Sequence, residues 1–587
     1  MQFHIIPLVL LVALVSLPNC TLVNGENSVE SAPSQIERPP AEAVDSEEDD
    51  EDEENAGEHS VDFDVDYNVH RPADQHTQIP KCKTEDLHEG DVNCEIEVKP
   101  KLKPYINYKG YHKWERRPLF VIIIGGLRWD YLTEEFWNGT NPGLGNLKAF
   151  NWIQKHGATM SQVIPVFPPY DLPTWTSLAT GLYPHNTGVT GDYMYNLKTR
   201  ELFSRDDSLE SWWVSGEPIW STAAKHGRKV SVLNWHDCTL AGNTLEDPND
   251  CKPFHTKSGM PSKQKLIQLF NQAFTKIHSA DYDLSIVYTD ALKKAALTYG
   301  PNSQEVKNTL ADLDDVLQGR LSDIKNKKER ANLKLNILLL SDYGLNSRAN
   351  TTKLVLEDYM EFEHVQYIIQ RGGSVVLIPY ALKAGDILNG VAGKLGVGSM
   401  LGIDVYVRDV NLQVPPLEYP TIPEYLHYSG HTWTQDILLV AKPGFEIEVG
   451  NASEKLLPPM KEPQVLGTSG YIPDPPPPLV VPGRDKHKSK ELRAREKVEG
   501  ELYHRFAHMM KTVGFAWGPD FKPGHVSSTI EIVDIYQIMA FLLQVDPQPH
   551  DGSWDRVKPM IVLSSGENLT PVLFLSLLSS ILLLKIY

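Results

Sequence analysis

Two aspartates carry much of the chemistry that this sequence could perform. In the stretch VFPPYDLPTWTSLATGLYPHNTG, residues 166–188, Asp171 precedes the hydroxyl of Thr174, and Asp342 follows the apolar run Ile337–Leu340. A Ser/His/Asp triad would need a G-x-S-x-G turn and a partnered histidine, and the sequence indicates neither. Carboxylates, in contrast, act as nucleophiles in aspartyl-phosphate enzymes, and they bind Mg²⁺ or Ca²⁺.

Buried strands must position these residues. Apolar, β-branched runs lead into Gly125, Asp290 and Asp342, and stretches with helical periodicity lie between them. Strands that alternate with helices predict an α/β fold with a largely parallel central sheet flanked by helices. Later strands with shorter connections predict that the sheet becomes mixed. The stretch STIEIVDIYQIMAFLLQV predicts an amphipathic helix that closes the domain. Ligands of such sheets bind at the carboxyl ends of the strands.

The charge of the chain disfavours one class of partner. Its 587 residues carry a formal net charge of -20, and part of that charge lies in the acidic block Asp45–Asn55. A protein of this sign is not expected to bind nucleic acid. The block has no apolar residue to bury, so we predict an acidic, disordered linker over residues 26–80.

Both ends of the chain resemble targeting segments. Residues 1–25 contain an apolar run followed by small and polar residues, which predicts a secretory signal peptide. Residues 561–587 place small residues, a short polar spacer and an apolar tail in the order of a GPI-anchor signal, and a transmembrane anchor is the alternative. We therefore expect a protein of the secretory pathway that reaches the cell surface or the exterior and meets a membrane through its C-terminus.

The cysteines agree with export. Cys82 and Cys94 lie in an N-terminal extension, residues 81–116, and Cys238 and Cys251 form a second close pair. Three pairings are possible, and we favour Cys82–Cys94 and Cys238–Cys251 because each closes a short loop. Neither pair has the CxxC spacing of a zinc site. Glycosylation sequons occur at Asn138, Asn350 and Asn451.

Several blocks of the sequence resemble one family in order and spacing. They include FVIIIGGLRWDYL, the long block from IPVFPPYD to TGLYPHNTG, NILLLSDYGLN and FAWGPDF. Together they resemble the ectonucleotide pyrophosphatase/phosphodiesterases, a branch of the alkaline phosphatase superfamily. The resemblance implies an alkaline-phosphatase-like α/β domain over residues 117–560. It also implies phosphodiester hydrolysis by two zinc ions and a threonine nucleophile, since paired metals clamp phosphate oxygens and activate the attacking hydroxyl.

The first two family motifs depart from the pattern in this sequence. The first strand of the family ends in a metal-binding Asp, within a motif like D-G-F-R, and here that position is Gly125. The family nucleophile loop resembles F-P-T-K-T-F-P-N. Its threonine corresponds to Asp171, and its oxyanion-stabilising Asn corresponds to Thr174.

The later motifs depart as well. In a motif like E-P-D-x-x-G-H-x-Y-G-P, the Asp ligand corresponds to Lys293 and the His ligand to Leu297. In S-D-H-G, Asp342 is retained and the His has become Tyr343. Spacing puts the last His ligand near Glu501, with His504 and His508 as the alternatives.

These departures predict a degenerate active site, so it is uncertain whether the chain is an enzyme. Glycine and leucine supply no metal donor, and a lysine puts a cation where a metal cation should lie. We therefore expect no zinc cofactor and a role in binding, with a nucleotide, a phospholipid or a protein as ligand. The alternative is an active phosphodiesterase in which Asp171 and Asp342 hold a single divalent cation. For Lys293 we favour a salt bridge to Asp171 or Asp342 that fills the vacated site.

Overall fold

A computed structural model describes residues 117–563 with internal gaps. The gaps are residues 197–198, 205–215, 237, 239–245, 255–258, 280, 326–333, 370–371, 396–398, 401, 409–418, 430–436, 443, 451–452, 458–464 and 475–507. The predicted signal, the linker, the Cys82–Cys94 pair, Asn451 and the C-terminal tail therefore lie outside the described residues. In the part of the chain that is described, no helix is both long enough and apolar enough to cross a membrane.

The described strands in chain order are β1 (Leu119–Ile124), β2 (Ala158–Ile164), β3 (Tyr193–Asn196), β4 (Glu201–Ser204), β5 (Val230–Trp235), β6 (Asp250–Pro253), β7 (Leu284–Thr289), β8 (Asn336–Leu340), β9 (Asn346–Ser347), β10 (Thr352–Val355), β11 (Val365–Ile369), β12 (Ser374–Pro379), β13 (Ser399–Met400), β14 (Ile403–Val407), β15 (Ile437–Ala441), β16 (Phe445–Glu448), β17 (Gly467–Thr468), β18 (Thr512–Trp517), β19 (Val526–Ser527) and β20 (Ile530–Glu531).

The described α-helices are α1 (Glu134–Trp137), α2 (Lys148–His156), α3 (Asp171–Thr180), α4 (Pro184–Thr187), α5 (Ile219–Lys225), α6 (Lys263–His278), α7 (Ala291–Tyr299), α8 (Gln304–Lys325), α9 (Ala384–Leu395), α10 (Asp534–Leu543) and α11 (Trp554–Val557).

The largest sheet has the strand order β19-β2-β18-β8-β1-β7-β5-β6, and β20 also pairs with β2. Strands β8, β1, β7, β5 and β6 run parallel. Strand β18 is antiparallel to both β8 and β2, which makes the sheet mixed. The prediction of an α/β fold with a largely parallel, mixed central sheet is confirmed.

The central strand β1 shows why these residues form a sheet buried on both faces. All of its residues are buried, as a continuous apolar run predicts for a parallel strand between helical layers. Its alternate residues enter two different cores. Val121 and Ile123 pack with α3, α5 and α10, whereas Ile122 and Ile124 pack with α2, α6, α7 and α8.

Helix α10 corrects one prediction. We expected an amphipathic helix at this position, but all 10 residues of α10 are buried. The helix packs against α3, α5 and β1, and α11 lies on it from another side. Its charged residue Asp534 is accommodated because Arg556 of α11 donates to both carboxylate oxygens, at 2.6 and 2.9 Å. The helix therefore has no solvent-facing side.

A second sheet holds the loop that precedes α3. Its strand order is β11-β12-β15-β14-β13, and all of its pairings are antiparallel. One face packs against α9 and its neighbours. The other face contributes Val376 and Leu438 to a smaller core that also contains Phe167 and Tyr428. Phe167 thus anchors the loop that leads to Asp171.

Candidate functional site at the carboxyl ends of the central strands

The folded chain brings four of the candidate residues together. Asp171 is the first residue of α3, and Lys293 lies in the first half of α7. Asp342 and Tyr343 follow β8 directly, at the carboxyl edge of the sheet. This is the edge at which ligands bind in α/β proteins, so the location agrees with the prediction made from the strands.

The Lys293 ammonium lies between the two aspartates. Its Nζ donates to Oδ1 of Asp171, and it donates to Oδ2 of Asp342 at 2.5 Å. All three residues are buried, with exposed fractions of 4% for Lys293, 8% for Asp171 and 0% for Asp342. The salt bridge that we favoured from the sequence is present, and it engages both carboxylates rather than one.

Four further donors hold the carboxylate of Asp342. Its Oδ1 accepts from the backbone N–H of Gly126 at 2.9 Å and of Tyr343 at 2.7 Å. Its Oδ2 accepts from Trp175 Nε1 at 3.1 Å and from the Tyr288 hydroxyl at 3.4 Å. A buried carboxylate with this many donors is fixed in one orientation.

Three aromatic rings surround the Lys293 ammonium. The distance from Nζ to the ring centroid is 4.2 Å for Tyr343, 5.4 Å for Trp175 and 5.8 Å for Tyr288. Rings within about 6 Å of a desolvated ammonium stabilise it through their quadrupoles. Sequence reasoning missed Trp175 and Tyr288. The available signal for Tyr288 was its position near the end of β7, beside β1.

The pKa shifts in this cluster keep Lys293 charged and both tyrosines neutral at neutral pH. Burial alone would lower the pKa of Lys293, but the attraction of Asp171 and Asp342 outweighs it and raises that pKa. Burial and the same two carboxylates raise the pKa of Tyr343 and of Tyr288 well above the usual range. Tyr343 therefore stays neutral and donates its hydroxyl proton to Asp171 Oδ1 at 2.8 Å.

The space beside Gly125 is filled. A Cβ atom added to Gly125 would lie 2.4 Å from the hydroxyl oxygen of Tyr288 and 3.0 Å from the Cζ of that ring. Real Cβ atoms do not approach other atoms this closely. The metal-binding aspartate of the family motif therefore cannot be accommodated at this position unless the Tyr288 ring moves.

The remaining candidate positions do not join the cluster as donors. Thr174 is fully buried in α3, and its Oγ1 has no hydrogen-bond partner among the described residues. Leu297 is half-buried and packs against the core on the α7 side of the sheet. The ring of His508 contacts Trp129 and the side chain of Gln162. Glu501 and His504 lie outside the described residues.

Two cysteines and two of the predicted glycosylation positions lie among the described residues. Cys238 and Cys251 form a disulfide, which joins the segment after β5 to β6. Asn138 is exposed at the end of α1. Asn350 lies in the short turn Arg348–Asn350. The use of both sequons stays a prediction.

The side chains that the structure describes at this site do not fit a two-zinc centre. Zinc sites need several His, Cys, Asp or Glu donors that converge on one point. Within the described part of the chain, no group of three or more such side chains could hold a metal ion. The two carboxylates that do converge already bind an ammonium, and the Tyr288 hydroxyl takes the space of a third ligand.

Comparison of this sequence with models of known protein families supports the fold described above. The family model of the type I phosphodiesterase / nucleotide pyrophosphatase family matches residues 119–472. The chain belongs to this family. The match ends before Glu501, His504 and His508, so our predicted positions for the last ligand fall outside it.

Two curated relatives and one solved structure illustrate how low the sequence identity between this chain and known members of the family is. A bis(5'-adenosyl)-triphosphatase of Xenopus laevis is 23% identical over 449 residues, which cover 76% of this chain and 81% of that protein. The ectonucleotide pyrophosphatase/phosphodiesterase family member 5 of Homo sapiens is 22% identical over 451 residues, which cover 76% of this chain and 78% of that protein. The structure of murine ectonucleotide pyrophosphatase/phosphodiesterase 5 superposes with a TM-score of 0.58 at 21% identity, over 76% of this chain and 100% of that chain.

Proposed function

We propose that this chain is a family member that does not hydrolyse phosphodiesters through two metal ions and that acts as a binding or interaction protein. One observation carries the proposal: the Lys293 ammonium lies between Asp171 and Asp342. The cation that these carboxylates bind is part of the protein itself. The former active site is then an internal ion-pair cluster that supports the scaffold.

Electrostatics favours this interpretation over a metal centre built around Lys293. Two unit charges about 4 Å apart repel by ~4 kcal/mol at an intermediate dielectric, and a divalent ion roughly doubles that repulsion. The raised pKa of Lys293 keeps the ammonium charged at neutral pH. A divalent ion would therefore meet a fixed positive charge in the space where it needs ligands.

The same cluster opposes a nucleophilic role for Asp171. Its Oδ1 accepts both from Lys293 and from the Tyr343 hydroxyl, which lowers the reactivity of a carboxylate. The alternative enzyme, with one divalent cation on Asp171 and Asp342, would have to expel the Lys293 ammonium from both carboxylates.

We further propose that the protein works outside the cell and is attached to a membrane by its C-terminus. Disulfides persist in oxidising compartments, and Cys238–Cys251 agrees with such a compartment. The relatives that carry "ectonucleotide" in their names point the same way. The ligand classes to test are nucleotides, phospholipids and proteins. A nucleotide is the first choice, because an inactive form of a murine relative was solved in complex with AMP.

Metal content and turnover test the proposal together. We would express the full chain on a secretory route, measure bound zinc by mass spectrometry, and assay a chromogenic phosphodiester beside an active family relative. We expect less than one zinc per chain and no turnover above the blank. Two zinc ions per chain, with turnover lost in Asp342→Asn and kept in Asp290→Asn, would refute it. Asp290 is the matched control because its carboxylate pairs with Lys294 at 2.6 Å.

A further inference from the structure

A cavity lies at the same edge of the large sheet as the Lys293 cluster, beyond the end of β2. It has a volume of about 270 Å³ and lies between Ile164 at the end of β2 and Ile472 after β17. None of the residues of the Lys293 cluster lines it. It is therefore separate from the former active site and can keep a function whether or not that site is active.

Aromatic rings form much of its wall. The rings of Tyr183 and His427 stack with centroids 3.9 Å apart and an interplanar angle of 10°. Phe167 lines the cavity as well, and Tyr425 lies at its rim with 42% of its surface exposed. An exposed tyrosine beside a stacked aromatic pair presents ring faces, which carry negative electrostatic potential.

Among the described residues, two acidic side chains line the cavity and no lysine or arginine does. They are Asp474 and Glu531. Lys511 donates to Asp474 Oδ1 at 2.7 Å and balances its charge. Tyr183 donates its hydroxyl proton to Oε2 of Glu531, and burial raises the pKa of this tyrosine so that it stays a neutral donor.

Glu531 belongs to a group with an excess of negative charge. Arg556 binds Glu531 Oε1 at 2.7 Å and also binds Asp534 at 2.6 Å. Asp551 lies close by, since its Oδ2 accepts from the backbone N–H of Tyr183 at 2.8 Å. Glu531 and Asp534 thus share one guanidinium, and these three groups together leave one negative charge beside the cavity.

We infer that this cavity binds a small organic cation, with a quaternary or aromatic ammonium group held against the rings of Tyr183 and Tyr425 and facing Glu531. Ring faces bind ammonium groups, and the excess negative charge adds a long-range attraction. A cavity of about 270 Å³ suits a ligand of modest size, just below the usual range for drug-sized ligands. Phosphate-bearing anions are excluded by the same charges. The site is independent of the proposed loss of hydrolysis.

Three probes of similar size and different charge test the inference. We would titrate the full chain with benzyltrimethylammonium, benzyl alcohol and benzylsulfonate, using isothermal titration calorimetry at two ionic strengths. The cation should bind, the alcohol should bind at least fivefold more weakly, and the anion should not bind. Affinity for the cation should fall as salt rises, because screening weakens the attraction. No binding of the cation at millimolar concentration, or equal binding of all three probes, would overturn the inference.

Surface variants locate the binding without threatening the fold. Tyr425→Ala should weaken cation binding about two- to fivefold, the usual contribution of one exposed cation–π contact. Asp474→Asn should weaken it about three- to tenfold, because Lys511 is then left without its partner. Tyr380→Ala is the matched control, since Tyr380 is 49% exposed and does not line the cavity. Unchanged affinity in both cavity variants, or an equal loss in the control, would contradict the assignment.

Discussion

Removal of the Lys293 charge is the sharpest test of how this site is held together. The variant Lys293→Met keeps an unbranched apolar stem that reaches as far as Cε but removes the ammonium. Asp171 and Asp342 then remain 8% and 0% exposed with no cation between them. Loss of one partner from a buried ion pair costs about 3–5 kcal/mol, and here one side chain serves two carboxylates. We expect the free energy of unfolding at pH 7 to fall by at least about 3 kcal/mol.

The pH dependence gives this prediction a second readout. The folded-state pKa of Lys293 is raised, so its ion pairs stabilise the protein fully below the pKa of a free lysine, about 10.4. That contribution is lost as the pH rises through the higher folded-state pKa. The difference in stability between wild type and Lys293→Met should therefore be largest near neutral pH and should shrink in the alkaline range, above about pH 10.5.

Urea unfolding followed by tryptophan fluorescence measures both effects. The matched control is Lys307→Met, because Lys307 is 7% exposed and its Nζ donates to the Thr140 hydroxyl at 3.1 Å. Burial lowers the pKa of Lys307, so its charge does not stabilise the fold and its removal should cost little. If Lys293→Met cost less than about 1 kcal/mol, or no more than the control, the ammonium would not be what holds the two carboxylates.

Three further changes should act on single contacts. Gly125→Asp should destabilise the protein by about 2 kcal/mol or more in thermal unfolding, because its Cβ meets the Tyr288 hydroxyl at 2.4 Å. The same substitution should cost less in a Tyr288→Ala background, and an equal cost in both backgrounds would argue against the clash. Tyr343→Phe should lower the free energy of unfolding in urea by about 1–3 kcal/mol, since it removes the hydrogen bond to Asp171. An unchanged midpoint of urea unfolding would contradict that hydrogen bond. Cys251→Ser should lower the free energy of unfolding by about 3 kcal/mol, because it opens the short loop that the disulfide closes. Reduction of the wild-type disulfide should lower the free energy of unfolding by the same amount.

The strands of the central sheet were predictable from local pattern. The apolar run predicted as Phe120–Ile124 forms β1, Leu119–Ile124, and the run Ile337–Leu340 forms β8, Asn336–Leu340. Continuous apolar runs of this length indicate strands buried on both faces, and each ends at a residue of the site. Position in the sheet was not predictable, because pairing of β1 with both β7 and β8 depends on contacts far apart in sequence.

Helix α10 shows a limit of periodicity. Its sequence was predicted to form an amphipathic helix, and it contains the polar residues Asp534 and Gln537. Both are fully buried, and Arg556 of another helix pairs with the aspartate. The partner of Asp534 lies in a different helix, so the sequence of α10 does not show that the polar residues are buried rather than exposed on one face.

The sequence alone determined which residues are available at the site: an aspartate at the position predicted for the family nucleophile, a lysine at the position predicted for a metal ligand, and Gly125, which offers no donor. Only the tertiary structure decided what these residues do. Lys293 lies 122 residues from Asp171 and 49 from Asp342, and its ammonium reaches both because α3 and α7 begin at the same edge of the sheet. A charge in a buried site must find partners of opposite sign, and which partners it finds depends on packing rather than on local sequence.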